Sequence, residues 1–299
     1  MLIVAVLFTI YAYSYERTEE VIMKWKSFKK AAIAATAVVA SLSLFLGGCG
    51  AKKDNSVKNI QNKKELVVGT YADYAPYEFT IVKNGKQKIV GYDMILAKEI
   101  AKSMGVKKVK IVNIAFPSLI SELQNKKFDL IMAGMSYTPK RAKVVNFSKS
   151  YRTVHQVLLV SKVNKDKYKS IASLKGQKIG AQQSSYQDKI AKKVKGAKVV
   201  NETSLQTLAS EVKNGSLDGL IATSDTAEAF AKEHPNEYAV DPHFTFKQDK
   251  MQAGTRVAVR KGDKALLKKV NATISKDQKN GKLNQLYNKA QDIQIKNAK

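Results

Sequence analysis

An arginine and a serine that could bind an anion lie within the segment 133–151, AGMSYTPKRAKVVNFSKSY. A short apolar run precedes this segment and is typical of a buried strand. Thr138 followed by Pro139 predicts the N-cap and the first position of a helix, whose free backbone N–H groups favour an anion. Arg141 lies one turn further on. Together with the Ser136 hydroxyl, these groups could hold a carboxylate.

From its residue type alone, Arg141 would be expected on the solvated surface, where most arginines lie. Its neighbours favour a binding site instead, because they resemble a known motif. In the bacterial extracellular solute-binding proteins of family 3, which serve polar amino-acid ABC importers, the pattern A-G-[MIL]-[ST]-x-T-x-x-R is followed by a short helix and D/N-F-[ST]-x-x-Y. This chain matches it at Ala133, Gly134, Met135, Ser136, Thr138, Arg141, Asn146, Phe147, Ser148 and Tyr151.

The resemblance extends from about residue 62 to the C-terminus and implies an α/β, periplasmic-binding-protein-like fold of type II. In such a fold each of two lobes is a mostly parallel sheet flanked by helices, and a two-strand hinge joins the lobes. The alternation of apolar runs with amphipathic segments along the chain also predicts mostly parallel sheets. Residues 65–157 and 252–292 are expected to form lobe 1, and residues 158–251 lobe 2.

The ligands of such sheets bind beyond the carboxyl ends of the strands, so the resemblance implies a ligand site in the cleft between the lobes. Arg141 and Ser136 match the positions that bind the ligand's α-carboxylate. Gly134 and Met135 would offer backbone groups to it.

Two aromatic residues, Tyr74 and Phe116, match the positions that sandwich the ligand side chain. They could instead pack in the core, where aromatic residues are usually buried. In the second lobe, Gln182 and Ser185 match positions that touch the ligand. Gln182 replaces the lysine of some glutamine-binding relatives, and either residue could simply belong to an exposed turn or a helix cap.

The chain departs from the family at the carboxylates that pair with an α-ammonium. Thr223 stands where most relatives carry an acid, and Tyr71 stands at a first-lobe position where many carry aspartate. Asp225 could reach the ammonium or merely cap the following helix, and Asp73 is a further candidate. Glu78 follows a pattern seen in binders of arginine and other polar residues, although it could also be a surface strand residue.

Composition excludes several other classes of protein. The net charge is +27, but the lysines are scattered and no nucleic-acid-binding motif accompanies them, so an anionic cell envelope is a simpler partner than nucleic acid. One cysteine excludes an internal disulfide framework, and three widely spaced histidines give no metal-ligand or triad spacing. We therefore expect no metal site. No cofactor is implied, and we expect a monomer.

The N-terminus contains a second candidate start at Met23, followed by a basic stretch, an apolar stretch and the residues LGGC at 46–49. This arrangement resembles a bacterial lipoprotein signal, although a transmembrane anchor is the alternative. We predict that residues 1–22 are an upstream extension absent from the native precursor. Residues 23–48 would be the signal peptide, Cys49 the lipidated residue and residues 49–64 a flexible tether.

These observations favour a lipid-anchored protein on the extracellular face of the membrane, in a bacterium with a Gram-positive envelope. It would capture a polar amino acid of the arginine/lysine, glutamine or cystine class and deliver it to an ABC permease. One alternative is an enzyme resembling the cyclohexadienyl dehydratases, with Glu78 or Asp225 as general acid. Others are the sensing module of a signalling receptor and a binder of ligands that lack an α-ammonium.

Overall fold

A computed structural model describes residues 54–297 of the chain. The predictions for residues 1–22, for the signal peptide 23–48 and for Cys49 lie outside the described residues. Within residues 54–297, no helix is long and apolar enough to cross a membrane, and no group of three His, Cys, Asp or Glu side chains could hold a metal ion.

Nine helices and thirteen strands follow one another along the described residues. The helices are α1 Ser56–Lys63, α2 Tyr92–Ser103, α3 Leu119–Gln124, α4 Pro139–Ala142, α5 Tyr186–Ala191, α6 Leu205–Lys213, α7 Ser224–Glu233, α8 Lys264–Lys279 and α9 Lys282–Asn297. The strands are β1 Glu65–Thr70, β2 Asp73–Tyr74, β3 Glu78–Lys83, β4 Lys86–Val90, β5 Lys108–Asn113, β6 Leu130–Ile131, β7 Val145–Thr153, β8 Gln156–Ser161, β9 Lys178–Gln182, β10 Lys198–Glu202, β11 Gly219–Thr223, β12 Tyr238–Phe246 and β13 Gly254–Arg260.

Two five-stranded sheets form the two lobes. The sheet of lobe 1 has the order β5-β1-β6-β13-β7, and that of lobe 2 has the order β10-β9-β11-β8-β12. In each sheet the first three strands are parallel, and the later strands β13 and β8 run antiparallel to their neighbours. The chain passes from the first sheet to the second between β7 and β8 and returns between β12 and β13. The predicted two-lobed α/β fold is confirmed.

Apolar side chains explain why these strands are buried on both faces. In β11 all five residues are buried, and in β8 all six are buried. Such continuous apolar strands need helices on each side, since only covered sheets can bury both faces. The strand ends are therefore held rigidly, and the loops that follow them are the places where side chains can face the cleft.

The flexible tether predicted for residues 49–64 is wrong over its last part, because residues 56–63 form helix α1. Ile60 is only 1% exposed and packs in the core of lobe 1. Asp54 accepts a hydrogen bond from the backbone N–H of Ser56 at 2.9 Å and another from the N–H of Ala265 at the start of α8. One buried apolar residue and these cap contacts fix a segment whose composition is otherwise that of a solvated linker.

Candidate ligand-binding cleft

The cleft lies where the carboxyl ends of β1, β6, β9 and β11 face one another. The predicted helix start is found at the end of β6: Thr138 is the N-cap of α4, its Oγ1 accepts from the Arg141 N–H at 3.2 Å, and Pro139 is the first helical residue. This short helix places the Arg141 side chain between the lobes. Arg141 is only 9% exposed.

The Arg141 guanidinium carries its charge in a site without a carboxylate partner among the described residues. Its Nη1 donates to the Ser136 carbonyl at 2.8 Å, and its Nη2 donates to the Ser184 carbonyl of the second lobe at 3.0 Å. Burial lowers the pKa of Arg141 to about 10. Because carbonyl dipoles do not neutralise the positive charge of the guanidinium, an anionic ligand group would bind favourably beside it.

Phe116 and Met135 line the same end of the cleft. The Phe116 ring lies 5.2 Å from Cζ of Arg141, and a cavity of about 800 Å³ opens beside both residues. Ser136 is buried beside them. Four lysines stand at the rim of this cavity with a single acid, Asp188: Lys140, Lys143, Lys189 and Lys192.

The other predicted aromatic residue, Tyr74, crosses the cleft to the second lobe. Its hydroxyl donates to Thr223 Oγ1 at 3.0 Å and lies 3.5 Å from Nε2 of Gln187. Gln187 also donates to Gln156 Oε1 at 2.8 Å, while the buried Nε2 of Gln156 has no partner among the described residues. Burial raises the pKa of Tyr74 to about 12, so its hydroxyl stays a donor at physiological pH.

Gly134 shows why a small residue is needed beside Tyr74. It adopts a φ of 52°, and an added Cβ would lie 3.0 Å from the Tyr74 ring and 3.8 Å from Glu78 Oε1. Its N–H donates to Asp93 Oδ2 at 3.0 Å. Glycine adopts this conformation readily and lets the Tyr74 ring pack directly against the backbone beside Glu78.

Glu78 is a buried residue, only 1% exposed, so its interpretation as a surface strand residue is wrong. Its carboxyl lies against that of Asp93, which also accepts from the Tyr151 hydroxyl at 2.9 Å. Glu78 Oε2 and Asp93 Oδ1 have no hydrogen-bond partner among the described residues. Burial, reinforced by Asp93, raises the pKa of Glu78 well above its usual value, and burial raises that of Asp93 to about 6.

Asp225 neither faces the cleft as a free carboxylate nor caps α7, the two roles considered from the sequence. Its Oδ2 accepts from Arg152 Nε at 2.7 Å and from the Tyr77 hydroxyl at 2.7 Å, and its Oδ1 accepts from Arg152 Nη2 at 3.2 Å. The Arg152 guanidinium stacks on the Tyr287 ring, with Cζ 3.6 Å from the ring centroid. The Asp225 carboxylate is therefore already paired with side chains of the protein.

The remaining candidate residues form hydrogen bonds either between the lobes or within their own loops. Asp73 accepts a hydrogen bond from the N–H of Leu205 at the start of α6, and burial raises the pKa of its carboxyl. Tyr71 is half-buried at the end of β1. Gln182 donates to the Thr203 carbonyl at 3.2 Å, and Ser185 is the N-cap of α5, accepting from the Asp188 N–H.

Several residues at the cleft were not predicted from the sequence. They are Tyr77, Asp93, Tyr151, Arg152, Gln156, Ser184 and Gln187. Ser184 has a φ of 61°, which aims its carbonyl at Arg141. Two of them carried a sequence signal: Asp93 stands in the first turn of a helix that follows a glycine, and Tyr151 is the last matching residue of the family motif. The others depend on contacts between distant parts of the chain.

Comparison with known proteins shows that this chain matches one protein family. The sequence model of the bacterial extracellular solute-binding proteins, family 3, matches residues 66–291. The arginine-binding extracellular protein ArtP of Bacillus subtilis is 33% identical over 256 residues, covering 84% of this chain and 94% of that protein. A probable histidine-binding protein of Campylobacter jejuni is 35% identical over 200 residues, covering 66% of this chain and 76% of that protein.

A similar solved structure carries a ligand. It is the crystal structure of an amino-acid ABC transporter substrate-binding protein from Streptococcus pneumoniae bound to L-arginine. It superposes with a TM-score of 0.75 at 32% sequence identity, covering 80% of this chain and 99% of that one. The similarity therefore spans both lobes.

Proposed function

Because this chain belongs to the bacterial extracellular solute-binding proteins of family 3, we propose that it captures a free amino acid between its lobes. The ligand class that we propose is a cationic amino acid, with L-arginine first. No bond is made or broken in this role. Similar proteins named for arginine binding support this choice. The relative named for histidine binding makes histidine a second candidate ligand.

The observation that carries the proposal is the buried, un-neutralised guanidinium of Arg141. It lies between the lobes, held by the carbonyls of Ser136 and Ser184 and stacked near Phe116. An α-carboxylate entering the cleft would supply the missing negative charge and could accept two parallel hydrogen bonds. Binding there would also hold the two lobes together, since Ser184 belongs to the second lobe.

The other end of the ligand would meet Glu78. Its Oε1 lies near Gly134 and the Tyr74 ring, and no basic side chain pairs with it among the described residues. A guanidinium placed there would gain a charge-assisted bond and a cation–π contact. A neutral side chain would gain neither, so the site should prefer arginine to glutamine.

Delivery completes the proposed role. The lobes would close about the two connecting segments as a hinge, and the closed form would be recognised by an ABC permease on the outer face of the membrane. Lipidation of Cys49 would anchor the protein there, and it would act as a monomer. The signal-like residues 23–49 support the anchor.

A thermal-shift panel tests the proposed function. The full-length protein, purified in mild detergent, is heated with each common amino acid and with cystine. A ligand that binds only the folded state raises the melting temperature by mass action. The proposal expects the largest shift with arginine and smaller shifts with lysine or histidine. A flat panel would contradict amino-acid capture, and a shift with glutamine alone would contradict the cationic class.

A further inference from the structure

Every carboxylate near the cleft already has a partner or a proposed one. Asp73 accepts from the start of α6, and Asp93 accepts from Gly134 and Tyr151. Asp225 is held by Arg152, Asp188 pairs with Lys192 at 2.8 Å, and Glu78 would take the ligand's cationic side chain. The described part of the cleft thus leaves no free carboxylate for an α-ammonium group.

The pair that occupies Asp225 connects the two lobes. Arg152 is the penultimate residue of strand β7 in the sheet of lobe 1, while Asp225 lies in the first turn of α7 in lobe 2. The pair has two hydrogen bonds, of 2.7 and 3.2 Å, and its partners are 27% and 7% exposed. Its fork geometry and low exposure distinguish it from the exposed lysine–acid pairs elsewhere in the described structure.

Two aromatic residues of lobe 1 complete this contact. The Tyr77 hydroxyl donates to the same Asp225 oxygen, and the Tyr287 ring supports the guanidinium of Arg152. Asp225 thus receives three hydrogen bonds from lobe 1. If the lobes separated, all three would break together and Asp225 would be left in the first turn of α7.

We propose that the Arg152–Asp225 pair is an inter-lobe latch that makes closure of the cleft nearly independent of an α-ammonium on the ligand. The ion pair that draws the second lobe onto the first is supplied by the protein. The ligand then needs a carboxylate for Arg141 and a side chain for Glu78. Arg152 is accordingly a specificity-determining residue that acts through Asp225.

This inference rests on the proposed function, and its first test compares two ligands. L-arginine and 5-guanidinopentanoic acid, which lacks only the α-ammonium, are titrated calorimetrically into the full-length protein. The latch predicts that their dissociation constants differ by less than about tenfold, equivalent to about 1.4 kcal/mol. A larger preference for arginine would overturn the inference and leave arginine capture intact. If neither ligand binds, arginine capture fails and the inference fails with it.

Two variants separate a latch from a merely structural contact. Arg152→Gln should weaken the binding of both ligands and raise the preference for arginine by about tenfold or more, because Asp225 is released to meet the ammonium. Asp225→Asn should weaken both ligands and leave the ratio of their affinities unchanged. The charge-matched control is Arg256→Gln, since Arg256 donates to the Ser148 carbonyl within lobe 1. Equal affinity ratios in the Arg152 and Asp225 variants would refute the latch, even if both variants are less stable.

Discussion

At the scale of single residues, the cleft contains two buried ionisable groups that have no oppositely charged partner among the described residues. Arg141 is a buried cation without a carboxylate partner among the described residues, and Glu78 is a buried acid whose pKa is raised well above its usual value by burial and by Asp93. Both arrangements cost stability in the empty protein, because a buried charge or a buried carboxyl pair is unfavourable. A ligand with opposite charges at its two ends would offset both costs.

The proposed contact of arginine with Glu78 would make arginine binding depend on pH. A guanidinium favours the carboxylate form, so binding should release the proton that the raised pKa retains in the empty site. Affinity should therefore fall as the pH is lowered, because protons then compete with the ligand for Glu78. Calorimetry in two buffers of different ionisation enthalpy, at one pH, measures the proton release directly.

Substitution of Glu78 isolates this effect. Glu78→Gln should weaken arginine binding by about 1.5–3 kcal/mol through loss of a charge-assisted hydrogen bond and should abolish the proton release. Glu122→Gln is the control, since Glu122 pairs with Lys127 on the surface. Binding heat that does not depend on the buffer in the unmodified protein would refute the assignment.

The sequence predicted some of these residues and missed others for physical reasons. Thr138 and Pro139 were identified because a helix start is a local pattern of hydrogen bonding and fixed φ. The partner of Asp225 was missed because Arg152 lies 73 residues away along the chain. The burial of Glu78 was missed because a strand pattern alone does not say which loops cover it.

At the scale of elements, the long apolar strands and amphipathic helices were predicted, whereas β7 and β12 were not. The strand β7, VNFSKSYRT, mixes apolar, polar and basic residues and shows no clean alternation in its burial. It forms because it pairs with β13, a contact between segments about 100 residues apart. Helix α1 was missed similarly, since its single buried residue gives no apolar stripe.

The contribution of the packing of α1 to the free energy of unfolding can be measured. Ile60→Ala should lower the free energy of unfolding by about 2–5 kcal/mol, because a fully buried isoleucine is truncated. Val82→Ala is the matched control, since the Val82 side chain is 68% exposed, and it should change little. Urea denaturation of the two variants compares them. An Ile60 variant as stable as the control would mean that residues 56–63 form a mobile tether after all.

At the scale of the whole molecule, the surface charge opposes the proposed ligand. The net charge is +27, and four lysines surround the cavity at the cleft's mouth. Arginine carries a net positive charge, so this field should slow its approach, and added salt should screen the repulsion over about 10 Å at 0.1 M. The association rate constant for arginine should consequently rise with ionic strength.

Stopped-flow measurements at several salt concentrations test this prediction. The double change Lys140→Gln with Lys192→Gln should raise the association rate at low salt and flatten its salt dependence. The control is Lys83→Gln with Lys86→Gln, which removes the same charge from the exposed β3–β4 hairpin. An association rate for arginine that falls as salt is added would show that the field at the cleft's mouth attracts cations, and would contradict this prediction.

The central claim is that a buried Arg141 between two lobes binds the carboxylate of a cationic amino acid. Calorimetric titration of L-arginine into the full-length protein and into Arg141→Ala tests it most directly. We predict a single site in the unmodified protein and a loss of at least about 3 kcal/mol in the variant, the typical cost of breaking a buried ion pair. Equal affinities in the two proteins, with the variant folded, would contradict the claim.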